Sequence, residues 1–137
     1  MRQEEHKIQC AIVKWFYYAY PALRGGLLFA VPNGGHRNIQ TARAMKAEEV
    51  FSGVADLLLL VPRRDYHGLC VEVKTLVGRQ SDNQKAWQKV VEAQGYCYTI
   101  VRSLDEKFNF KNFRTMDKST NTITPRRRRE WKKGGGL

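Results

Sequence analysis

Zinc-site and disulfide patterns are missing from this sequence. Its three cysteines, Cys10, Cys70 and Cys97, are odd in number and far apart, no CxxC pair occurs, and the three histidines fall at no zinc-site spacing. The pattern argues against a disulfide scaffold and a structural zinc site, and reduced thiols fit a reducing cytosol. Long apolar runs are lacking too: none approaches the roughly 20 residues of a membrane span. The opening "MRQEEHKIQ" carries charge and amide where a signal peptide has its apolar stretch, so no cleaved leader is expected. Acid is scarce. Against 24 Lys and Arg stand 13 Asp and Glu, a formal net charge of +11. Such an excess points to a polyanionic partner, nucleic acid before an acidic membrane surface. A membrane role is further disfavoured because the basic C-terminal run has no long amphipathic helix around it.

What is present suits one domain: 137 residues, 42% of them hydrophobic, with no internal repeat. Ile8, Ala11, Ile12, Trp15, Phe16 and Ala19 keep a 3.6-residue period, which predicts a helix over 3–19 that Pro21 and the RGG at 24–26 terminate. LLFAV (27–31) reads as a short buried strand and PNGG (32–35) as a turn. A helix is expected over 38–50, with Gly53 beyond its end. VADLLLLV (54–61) is apolar on both faces, which places it centrally in a sheet. A turn at 62–68 leads to a strand at 69–74. Ser81 and Gln84 have capping-box spacing, Gly95 is placed as a helix stop, and Trp87 and Val91 read as core positions of the helix between. YCYTIV (96–101) is the fourth strand. Ser103 and Glu106 repeat the capping-box spacing, opening a short helix or turn through about residue 116. From there the apolar pattern thins into PRRRREWKKGGGL (125–137), which holds six basic residues and one acid and reads as a mobile tail. The order is an α/β architecture with a mixed four-stranded sheet flanked by helices.

One end of the hairpin at 53–74 is charged in a way that its apolar length does not explain. Residues i and i+2 of a strand share a face, so Glu72 and Lys74 point one way and Val71 and Val73 the other. If Val61 pairs with Leu69, then Leu58 lies opposite Glu72 and Asp56 opposite Lys74. All three charges then share one face. Two readings fit: a Lys74–Asp56 salt bridge at a sheet end with Glu72 solvated, or two carboxylates converging on one ion.

The run Gly53-Val54-Ala55-Asp56, Glu72-Val73-Lys74, Ser81-x-x-Gln84-x-x-Trp87 and Gly95 resembles the virus-type replication-repair nuclease (VRR-NUC) domain of the PD-(D/E)XK nuclease superfamily. Glu5-x-x-x-Gln9 resembles the family's first-helix motif, and Val31-Pro32-Asn33-Gly34-Gly35-x-Arg37 its loop after the first strand. The likeness runs from about residue 4 to 106. Ala55 departs from it, standing where the superfamily usually has proline; proline shapes the backbone there and is not a ligand. The resemblance implies a restriction-endonuclease-like fold for a domain at 1–116, followed by a basic tail at 117–137. It also implies phosphodiester hydrolysis with Mg²⁺ or Mn²⁺. Asp56, Glu72 and the main-chain carbonyl of Val73 would be metal ligands, and Glu5 an outer or second-ion ligand. Lys74 would hold the attacking water and the developing charge.

Several residues keep two readings. Glu5 is equally a first-turn acid that favours the helix dipole. Gln84 either caps its helix or touches the scissile strand. Asn33 and Arg37 flank either a plain turn or a phosphate-binding one. Arg126, Arg127, Arg128 and Arg129 belong to a tail that either binds DNA or only solvates the chain. The expected function is a structure-specific DNA endonuclease, acting as a homodimer on branched DNA such as four-way junctions, in bacterial or phage-infected cytoplasm. The alternative is a basic nucleic-acid-binding module without catalysis.

Overall fold

The computed structural model describes residues 2–32, 39–63 and 65–103. Helix α1 (Arg2–Ala19) forms on the expected stripe. Ile12 and Phe16 are each 1% exposed, and Ile8, Val13 and Trp15 pack around them. Glu4 and Glu5 lie in its first turn, where negative charge favours the helix dipole. Pro21 cannot continue the helix and opens a single 3₁₀ turn, Pro21–Leu23.

Strands β1 (Leu28–Ala30), β2 (Leu57–Leu59), β3 (Leu69–Val73) and β4 (Cys97–Val101) form one sheet in that spatial order. The first two pairings are antiparallel and β3–β4 is parallel, so the sheet is mixed. Parallel neighbours need a crossover, and helix α3 (Asp82–Ala93) supplies it. The central place expected for the 54–61 run is where β2 lies, although the strand itself is shorter and Leu60 stays exposed.

Strand alternation divides the sheet's two faces. Leu28, Leu57, Leu59, Leu69, Val71, Val73, Cys97 and Val101 face α1 and make the core with Ile12 and Phe16. Asp56, Leu58, Cys70, Glu72, Lys74, Tyr98 and Ile100 have the opposite parity, and α3 lies on that side, with the Trp87 ring 6.2 Å from Tyr98. Trp87 and Val91 are half-buried and α3 buries no residue fully, so they are not core positions in the sense expected of them. The helix only roofs one side of the sheet. No disulfide links Cys10, Cys70 and Cys97. Burial, with Cys97 beside it, pushes the Cys70 thiol up to about 11.

The register differs from the expected one by two residues. Leu57 pairs with Val71 and Leu59 with Leu69, because the chain reverses around Arg63 and Tyr66, which exchange main-chain hydrogen bonds of 3.1 and 2.9 Å. A slip of one residue would turn every side chain to the other face; a slip of two does not. Asp56 therefore falls alongside Glu72 rather than Lys74, and the three charges keep their common face.

Helix α2 (Ile39–Ala47) stops before the expected end at 50. Val50 donates to the Met45 carbonyl at 2.9 Å and Glu49 to Lys46 at 3.2 Å, a Schellman ending with Glu49 at φ 62°. A glutamate in the left-handed position carries no sequence signal, since glycine is the usual occupant. Gly53 serves another purpose. Its φ is +88°, and a Cβ there would lie 2.6 Å from the main-chain carbonyl of Asn83 and 2.9 Å from the nitrogen of Gln84. Only glycine lets the segment before β2 press onto the first turn of α3.

Candidate active site

Asp56 enters β2 pinned on two sides. Its main-chain oxygen accepts from the Val31 N–H at 2.9 Å, and its Oδ2 accepts from the Val73 N–H at 2.7 Å. The side chain is thus turned across onto β3, where Glu72 is the next acidic group. Glu72 is 1% exposed, unusual burial for a carboxyl group.

Every oxygen of Glu72 is engaged. Oε1 accepts from Gln84 Nε2 at 2.8 Å and lies 3.8 Å from Lys74 Nζ. Oε2 accepts from the Tyr98 hydroxyl at 3.2 Å. Lys74 therefore pairs along its own strand with Glu72, not across to Asp56 as the sheet-end salt bridge required. Gln84 caps its helix, as the first of its two readings has it, and also reaches Glu72. Its Oε1 accepts from the Ser81 N–H at 2.8 Å while the Ser81 hydroxyl accepts from the Gln84 N–H at 3.2 Å, closing the capping box. Its amide nitrogen is left to reach Glu72.

Tyr98 and Gln80 have no counterpart in the sequence reading. Gln80 Nε2 donates to the Tyr98 hydroxyl at 3.2 Å and to Gln88 Oε1 at 2.9 Å, so the phenol is held in place while it donates to Glu72. Tyr98 stands beside Cys70 in the parallel register, 26 residues along the chain from Glu72. Its only sequence signal is strand parity, legible once the β3–β4 pairing is known.

Burial is the main cause that pushes the Glu72 carboxyl up to about 8. The Asp56 charge and a side-chain hydrogen bond with Asp56 raise it further, while Lys74 and the Tyr98 hydrogen bond pull it down. Glu72 thus keeps its proton at neutral pH, chiefly because it is buried and further because Asp56 lies beside it. A divalent cation offers the same neutralisation with more charge. The donors are hard oxygens, and two carboxylates suit Mg²⁺, which keeps several of its waters. The residues present therefore fit a Mg²⁺- or Mn²⁺-type ion.

Glu5 does not join them. Among the described residues no group of three or more His, Cys, Asp and Glu side chains is placed to hold a metal, and α1 packs on the other face of the sheet. The structure leaves Glu5 half-buried in the first turn of its helix. Asn33 and Arg37, the Ser103–Glu106 capping box, the domain limit at 116 and Arg126, Arg127, Arg128 and Arg129 lie outside the described residues. No described helix is long and apolar enough to cross a membrane.

A solved VRR_NUC domain protein is similar in structure, with a TM-score of 0.64 and 20% identity over 80% of this chain and 88% of that one. At that identity the likeness speaks for the fold. Among proteins of curated function none matches. The model of the VRR-NUC domain matches residues 1–105, from the first helix to just past β4, and the chain belongs to that family of nucleases.

Proposed function

We propose that the protein is an endodeoxyribonuclease that requires Mg²⁺ or Mn²⁺ and hydrolyses phosphodiester bonds in branched DNA, four-way (Holliday) junctions among them. The observation that carries this reading is the buried Glu72 carboxyl with half-buried Asp56 beside it and the Lys74 ammonium 3.8 Å from Glu72. Asp56, Glu72 and the main-chain carbonyl of Val73 would hold the cation. Bound there, it would polarise the phosphate and acidify a water. Gln84 and Tyr98 each donate to one Glu72 oxygen, which fixes the carboxylate before substrate arrives. An ammonium cannot ligate a cation. Lys74 instead orients the attacking water and faces the negative charge that builds on the phosphate, so it acts on the transition state. Asn33, Arg37 and the arginines at 126–129 would take backbone phosphates, which position the substrate without reading its sequence.

A module that only binds nucleic acid gains nothing from Asp56 and Glu72, which repel phosphate unless a cation intervenes. A homodimer would present two sites to two strands across its two-fold axis, which suits a branched substrate; the reducing cytoplasm suits its thiols. The test is incubation of the full chain with a labelled four-way junction and a linear duplex, in Mg²⁺, in Mn²⁺ and in EDTA, with the protein's mass measured on the same sample. Paired cuts in the junction, slower cutting of the duplex and none in EDTA are expected. An intact junction under both cations would overturn the proposal.

A further inference from the structure

Two apolar side chains stand in water beside the candidate active site. Leu76 is 68% exposed and Val77 81%, and they follow Lys74 by two and three positions. The loop that carries them is braced. The Gly78 N–H donates to Thr75 twice, to the carbonyl at 3.2 Å and to Oγ1 at 3.0 Å, while Thr75 itself is 2% exposed and anchors the loop below. Arg102, just beyond β4, donates through one guanidinium nitrogen to the carbonyls of Thr75 at 2.8 Å and Gly78 at 2.5 Å. The loop also lies against the site: a Cβ at Gly78 would be 3.5 Å from Lys74 Cδ.

Bracing of this kind holds the apolar tip away from the sheet, where it could otherwise bury itself. Apolar side chains kept in water forgo the gain of burial, and an exposed apolar feature beside a functional site marks a contact surface. The partner must be near the Lys74 ammonium and tolerate a chain of net charge +11, with Arg79 exposed next to the tip. A polyanion meets those terms, and its only large apolar surfaces are base faces, open where stacking is broken. We infer that Leu76 and Val77 form a wedge that seats against unstacked bases at a branch or discontinuity of DNA, beside the bond to be cut. The inference rests on the nuclease reading of the site and adds the feature of the substrate that the chain selects.

The test compares the full-length wild-type protein with a Leu76→Ser/Val77→Ser double variant and a Leu76→Met/Val77→Ile variant, after circular dichroism has established that all three are folded. Binding is measured in Ca²⁺ to a three-way junction, a nicked duplex and a fully paired duplex, each with 2-aminopurine beside the discontinuity. Cleavage is measured separately in Mg²⁺. The wild type should brighten the 2-aminopurine at the branch and prefer it to the paired duplex. The double Ser variant should lose both the brightening and about tenfold of that preference while paired-duplex binding stays within about twofold, and the Met/Ile variant should keep them. Retained preference with dark 2-aminopurine would overturn the wedge even if cleavage proceeds. Brightening without cleavage would instead overturn the nuclease reading and leave the wedge standing. A dimer that the double Ser variant dissociates, with branch preference unchanged, would assign the tip to a second copy of the chain and also overturn it.

Discussion

Glu72 is the residue on which the site turns. Buried in mid-strand, it is tolerable only because each oxygen has a donor and because it keeps a proton in the absence of a cation. This has a pH consequence. The folded protein holds the Glu72 proton up to about 8, while the unfolded chain releases it near its ordinary value of 4.5. Between those values the native state binds more protons than the unfolded one, so the contribution is fully present below 4.5 and is lost as pH rises to about 8. In EDTA, urea unfolding should therefore give falling stability from pH 5 to 8, with a slope approaching about 1.4 kcal/mol per pH unit from this group. Glu72→Gln should remove that slope; a slope equal to wild type would place the titration elsewhere. Tyr98→Phe keeps the ring and deletes one donor to Glu72. Partners of ligating carboxylates typically matter tenfold or more to metal affinity. Mg²⁺ titration of cleavage should show the half-saturating concentration raised about tenfold, with the rate at saturation within a few-fold. An unchanged half-saturation would remove Tyr98 from the site.

The elements were legible from sequence where local chemistry decides them. The α1 stripe, the Ser81–Gln84 capping box and the Gly95 stop are patterns within one turn of helix, and all are present in the structure. The alternation of β3 likewise placed Glu72 and Lys74 on one face. What sequence did not show is set by partners. The β2–β3 register depends on how the 60–68 segment folds, the end of α2 on a left-handed glutamate, and the role of Tyr98 on parallel pairing across a crossover helix. Gly53 belongs to the same group: as a helix stop it was plausible, but its function is contact with the backbone of α3. Gly53→Ala must strain a left-handed position and meet main-chain atoms that cannot swing away. It should cost about 2 kcal/mol or more in urea unfolding and draw Gln84 off Glu72, so that cleavage falls too. Wild-type stability in that variant would contradict the contact.

On the scale of the whole molecule, charge is unevenly spread. The 125–137 segment accounts for about five of the eleven net positive charges, so the remainder of the chain is basic without it. Each neutralised phosphate contributes about −0.9 to the slope of log affinity against log salt. Deleting 125–137 should flatten that slope by up to about four to five and weaken binding, yet leave cleavage at saturating DNA nearly unchanged. Equal slopes for the two proteins would make the segment a solubilising tail.

The carboxyl pair is tested most directly by single-turnover cleavage of a labelled four-way junction at saturating Mg²⁺, wild type against Asp56→Ala, with binding read on the same samples. Asp56 lies at a strand mouth rather than in the core, and on the proposed reading it would hold one half of the cation site. Cleavage should fall by at least about a hundredfold. Binding should stay equal or tighten, since a carboxylate facing phosphate is removed. Cleavage at the wild-type rate by folded Asp56→Ala protein would contradict the assignment.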